Sequence, residues 1–94
     1  MPIGVLWLHL HMPGIRSLKE KRRALKPLLT RLQKEFNISV AEMDYQEHYE
    51  HALVACAHVS NDANHTHRTL QKVVRWVETH WGEGYIADES IEML

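Results

Sequence analysis

IGVLWLHLHMPGIRSLKEKRRALKPLLTRLQKEF, residues 3–36, changes its period partway along, and that change decides the fold. Residues 3–12 alternate. Leu6, Leu8 and Leu10 fall on one face and Val5, Trp7, His9 and His11 on the other, the pattern of a strand with one apolar and one mixed face. Pro13-Gly14 breaks the run. From about Leu18 to Phe36 the spacing turns helical, with Leu18, Leu25, Leu29, Leu32 and Phe36 in one stripe and Leu28 at its margin. Ser17 is the N-cap, and Glu20 three residues later completes a capping box. Pro27 projects almost opposite the stripe, so its missing N–H falls on the solvent side and bends the helix without ending it.

Working outward, residues 37–46 (NISVAEMDYQ) and 52–60 (ALVACAHVS) read as two further strands, joined by the polar stretch around Glu47–His51. A bulge near Ala41–Glu42 reconciles the register of Ile38 and Val40 with that of Met43 and Tyr45. Ser60-Asn61-Asp62 supplies caps for a second helix over about 62–81, whose apolar period runs Ala63, Thr66, Leu70, Val73, Val74, Val77, Trp81. Gly82 and Gly84 punctuate, and residues 85–94 form a last strand. The order is βαββαβ, and 94 residues without an internal linker make one domain, 1–94, with one core. The predicted class is α+β: a ferredoxin-like sandwich of a four-stranded antiparallel sheet with two helices on one face. Strands one and three are expected side by side at its centre. Read as running the same way, they bring the loops Pro13–Ser17 and Ser60–Asp62 to one edge.

The bulk composition narrows the setting. A hydrophobic content of 45% is too high for disorder. The apolar start lacks a basic leader and a cleavage site, and no run approaches the ~20 residues of a membrane span, so a cytoplasmic protein is expected. The one cysteine, Cys56, sits in the apolar run ALVACAHV and reads as a small buried thiol in a reducing compartment.

Charge is the strongest functional feature. Eight of the eleven Lys and Arg residues fall within positions 16–34, although the whole chain carries a formal charge of −1. Arg16, Lys19, Lys21, Arg22, Arg23 and Lys26, joined by Arg68 and Lys72 of the second helix, form the expected nucleic-acid-binding set. Lys21 departs from that flank and projects into the apolar arc. At the supposed common loop edge, Ser17, Asn61 and His65 are candidate anion-binding residues beside two helix N-termini. Val5, Trp7, His9 and His11 lie on a sheet face that no helix covers and are the expected homo-oligomer interface.

The histidine pairs His9-x-His11, His48-x-x-His51 and His65-x-His67 carry no spacing that forces three or four ligands together, so neither a metal nor a cofactor is expected. An enzyme is the rival class. A phosphate hydrolase resembling acylphosphatases would use Arg16 and Asn61, but PGIRS offers one glycine where such enzymes carry a Gly-rich cradle.

Read together, GIRSLKEKRRALKPLL, FNISVAEMDYQE and VSNDANHTHRTLQKVVRWVE resemble the YlxP-like family of small bacterial proteins, a domain of unknown function. The likeness covers nearly the whole chain, and SLKEKR, FNxSVAE and VSND in this order are its signature. The resemblance implies a ferredoxin-like fold, a bacterial cytosolic protein and a translation or ribosome-assembly setting, since such genes often lie between those of a translation initiation factor and a ribosome-binding factor. It implies no catalytic residues. The expected function is a non-enzymatic module that binds RNA or a ribosomal particle through the basic helix face. The alternative is a homo-oligomeric module that binds an acidic protein or small anion at the loop edge.

Overall fold

The computed structural model describes residues 2–94. Six elements follow in the expected order: β1 (Ile3–His11), α1 (Leu18–Phe36), β2 (Ser39–Asp44), β3 (His51–Val59), α2 (Ala63–His80) and β4 (Tyr85–Met93). The sheet order is β2-β3-β1-β4, every neighbouring pair is antiparallel, and the arrangement is a ferredoxin-like α+β sandwich. Leu6, Leu8 and Leu10 of β1 and Ala52, Val54 and Cys56 of β3 are all 0% exposed beneath the helices. Leu25, Leu28 and Leu32 of α1 and Leu70, Val73 and Val77 of α2 close the core from above. Gly4 permits this approach, because a Cβ there would come within 2.8 Å of Leu70 and Thr66 side-chain carbons.

One expectation fails, and the site suffers for it. β1 and β3 are adjacent but antiparallel, with Ile3 opposite Val59 and His11 opposite His51. The crossover through α1 makes β2 run with β1, and the β2–β3 hairpin then reverses the chain. The loop after β1 and the loop after β3 therefore lie at opposite ends of strands about 30 Å long. They do not meet.

Two bulges shape the other face. The β2–β3 register shifts between Glu42 and Asp44, close to the expected place. The β1–β4 register shifts between His9 and Leu10, so that His9 pairs with Asp88 while Leu10 pairs with Ile86. The extra residue, Ala87, brings Tyr85 opposite His11. Gly84 makes room for that turn, since a Cβ would collide with the His11 carbonyl.

Candidate functional site

All Lys and Arg residues except Arg16 lie on the two helices, and no strand carries one. Nine of the twelve acids lie outside the helices. The two layers of the sandwich thus carry opposite charge. Around α1, successive 100° steps put Arg22, Lys26, Lys19, Arg23 and Lys34 in an outward arc of about 120° that contains no acid. Arg68, Lys72 and Arg75 do the same on α2. Ten of the eleven cations are exposed. Among the described residues the ion pairs are His11–Glu50 and Lys21–Glu42, so none of those ten has a carboxylate within 4.0 Å.

Lys21 does not belong to this surface. Its side chain is 3% exposed, and its ammonium lies 2.9 Å from Glu42 Oε2 while donating to the Tyr45 carbonyl at 2.6 Å. The Glu42 contact is ionic: Oε2 is buried and accepts no directed hydrogen bond. A residue so used ties the first turn of α1 to β2 and cannot reach a phosphate.

The anion set of Ser17, Asn61 and His65 is divided between the two ends of the sheet. Each helix start is also already capped. Ser17 Oγ accepts from the Glu20 N–H, and the Glu20 carboxylate accepts from the Arg16 N–H. Asp62 accepts from the Asn64 and His65 N–H groups, which puts a negative charge where the anion was expected. Arg16 and Asn61 are likewise on opposite sides of the molecule, which removes the geometry of the hydrolase alternative. Cys56 is fully buried, and burial pushes its thiol up to about 12, so it is inert as a nucleophile.

The open sheet face holds what the spacing did not reveal. Antiparallel pairing of β1 with β3 brings His9, His11 and His51 together, and Tyr45 and Tyr85 flank them. Tyr45, His9, His51, His11 and Tyr85 form a run of rings with successive centroid separations of 5.4, 5.2, 4.7 and 5.2 Å. Tyr45 holds its place with a left-handed φ of 65°, its N–H donating to Asp44 Oδ1. His9 Nε2 and His51 Nδ1 share a hydrogen bond of 3.0 Å. His11 lies between Glu50 Oε1, 3.2 Å from Nε2, and the Tyr85 hydroxyl, 2.7 Å from Nδ1. Both contacts are satisfied when His11 carries its proton on Nε2 and accepts from the tyrosine. Among the described residues no three His, Cys, Asp or Glu side chains are arranged to hold a metal ion. The hairpin at residues 45–50 brings His51 only alongside the end of β2; pairing of β3 with β1 is what sets it opposite His11.

Burial first, then the neighbouring His11 and His9, hold the His51 imidazole below its ordinary 6.5. His58, hydrogen-bonded to the buried Thr66, is lowered by burial and by His65. Below pH 6.5 the unfolded chain therefore binds protons that the folded chain refuses. Stability is full above that pH and declines as pH falls through the lowered values. Thermal midpoints of the wild type are expected to drop between about pH 7 and pH 5, and a His51→Gln/His58→Gln variant is expected to lose part of that slope. Parallel pH curves for the two proteins would refute this.

A family described as "Protein of unknown function (DUF503)" matches residues 3–91 of the chain. The chain is also similar to the uncharacterized protein YlxP of Bacillus subtilis (strain 168), with 40% identity over 63 residues, 67% of this chain and 68% of that protein.

Proposed function

We propose that this chain, which belongs to the DUF503 family of proteins of unknown function, is a non-enzymatic binding module for RNA, free or in a ribosomal particle, in the cytoplasm. The observation that carries this reading is the separation of charge between the layers. Arg16, Lys19, Arg22, Arg23, Lys26, Arg68 and Lys72 are exposed and free of carboxylate partners. An ordinary solvated helix face mixes signs, because Glu–Lys pairs at i,i+4 stabilise it. A phosphate backbone is the partner that an acid-free arc fits, and it supplies affinity without reading sequence. The sheet face suits RNA poorly, since Asp88 and Glu92 lie opposite His9 and Val5 on β4. The test is capture of partners from a bacterial lysate with and without ribonuclease. RNA-mediated capture disappears on digestion, whereas retention of the same partners after digestion points to an acidic protein instead.

Self-association belongs to the other layer. Val5, Trp7, Leu53, Ala55 and Ala57 are partly exposed at the centre of the open face, with His9 and His11 at one end. We place a homo-oligomer interface there. Light scattering at tens of micromolar is expected to give at least a dimer, and Trp7→Glu is expected to return it to monomer. A monomeric wild type would sink the interface.

A further inference from the structure

We infer that the groove between α1 and α2 is the place where one base of a single-stranded RNA stacks, with Trp76 as its platform. This rests on the RNA reading above and narrows it from phosphate binding to an unpaired strand. The groove encloses about 200 Å³ and is lined by Arg23, Ala24, Pro27, Leu28, Arg31 and Trp76, with His80, Trp81, Gly82 and Glu83 completing it toward the end of α2. That is smaller than the ~300–1,000 Å³ of sites for drug-sized ligands and is the scale of a single planar ring system.

Trp76 is only partly buried and is already surrounded as a base would be. The Arg31 guanidinium sits over its ring, 4.7 Å from the centroid. The His80 imidazole stacks on it at 4.5 Å and 16°, and Phe36 meets its edge at 89°. Arg31 and His80 are both exposed, so neither is locked in place by the core. An incoming base can take the place of one of them and keep the other as a second stacking partner. One further wall is fixed. Trp81 is 9% exposed and is pinned by its Nε1–H to the Ala24 carbonyl at 3.1 Å.

Pro27, which lines the groove, has no N–H and leaves the Arg23 carbonyl without its i+4 donor. The charges set the path of the strand. Lys72 and Arg75 continue past Trp76 on the Phe36 side, while Glu83 stands at the opposite end. Phosphates flanking the stacked base are drawn toward the cations and away from that acid. A basic groove interrupted by an aromatic platform is how sequence-tolerant single-strand binders work, whereas a paired base in a duplex cannot reach the ring.

The test compares a short fluorescent oligoadenylate, alone and annealed to oligouridylate, by anisotropy. Trp76→Leu is expected to weaken single-strand binding roughly 5- to 150-fold, the range for loss of one stacked base. Duplex binding and the salt slope are expected to stay as in the wild type, and Trp76→Phe to recover most of the loss. Tryptophan fluorescence of the wild type should be quenched on adding the single strand. Should Trp76→Leu fail to fold, Arg31→Ala/His80→Ala, which removes whichever of the two stays as the second stacking partner, gives the deciding measurement, with a greater loss expected for the single strand than for the duplex. If Trp76→Leu binds the single strand like wild type, or Arg31→Ala/His80→Ala loses no more single-strand than duplex affinity, while Arg22→Glu/Arg23→Glu is impaired, the groove is wrong and the RNA reading survives. If the wild type itself holds neither strand nor duplex, both are wrong.

Discussion

Exchanging Arg22 and Arg23 together for glutamate is expected to lower RNA or ribosome affinity roughly tenfold or more and to flatten the salt dependence by about 2. Both side chains are exposed, and neither has a carboxylate within 4.0 Å to compensate for its loss. Each contact with a phosphate releases close to one counterion, which is why the slope of affinity against salt reports the number of contacts removed. Reversal goes further than neutralisation, because it sets two carboxylates against the same backbone. The fold should hardly notice. The carboxylate introduced at position 22 gains Lys26, and the one at position 23 gains Lys19, both at a spacing of four residues. Surface changes of this kind shift stability within about 1 kcal/mol. Anisotropy across a salt series measures affinity and slope, and a thermal melt checks the fold. Unchanged RNA retention by a folded double variant would remove the ground for the proposed function.

The second large effect is on stability and concerns the cation that the surface does not contain. Glu42→Gln is expected to destabilise the protein by about 2–4 kcal/mol, since it leaves a 3%-exposed ammonium without a counter-charge, facing only neutral oxygen acceptors such as the Tyr45 carbonyl. The figure is set below that for a fully buried pair because the Glu42 side chain is 25% exposed and water can approach. Lys21→Met is expected to cost less. It fills the same space with apolar atoms, and the freed Glu42 can turn to solvent. The asymmetry between the two variants in urea unfolding is the diagnostic result. Equal stabilities would mean that Lys21 is held by packing and not by its counter-charge. A shift of the His9 or His51 ring signals in the Lys21 variant would in turn trace the link from α1 through Tyr45 to the sheet face.

Local pattern made most of the architecture legible. Alternation in IGVLWLHLH buries the residues expected of it, and Ser17 caps α1 as read. The helices follow their periods in the main: α1 buries Leu25, Leu28 and Leu32 but leaves Leu18, Leu29 and Phe36 partly exposed, and α2 buries Thr66, Leu70, Val73, Val74 and Val77 but leaves Ala63 exposed. These features depend on neighbours a few positions apart, which a chain displays without folding. Asp62, one of three cap candidates, also took its expected place. The outward charge of both helices was visible for the same reason, as projection around a helix needs only the 3.6-residue period.

Contacts between distant segments were another matter. Chain direction in the sheet split Ser17 from Asn61 and His65, and the same direction assembled His9, His11 and His51 from separate strands. A helical projection could place Lys21 toward the core but could not supply Glu42, which arrives from β2. Trp76 lies off the apolar period of α2, and its partners Arg31 and Phe36 come to it from α1. The sequence alone determined which elements form and which faces they present, because hydrogen-bond period and side-chain polarity act within a few residues. The tertiary structure decided which of those faces and ends meet, because strand direction, register and bulges are settled by pairing across the whole chain.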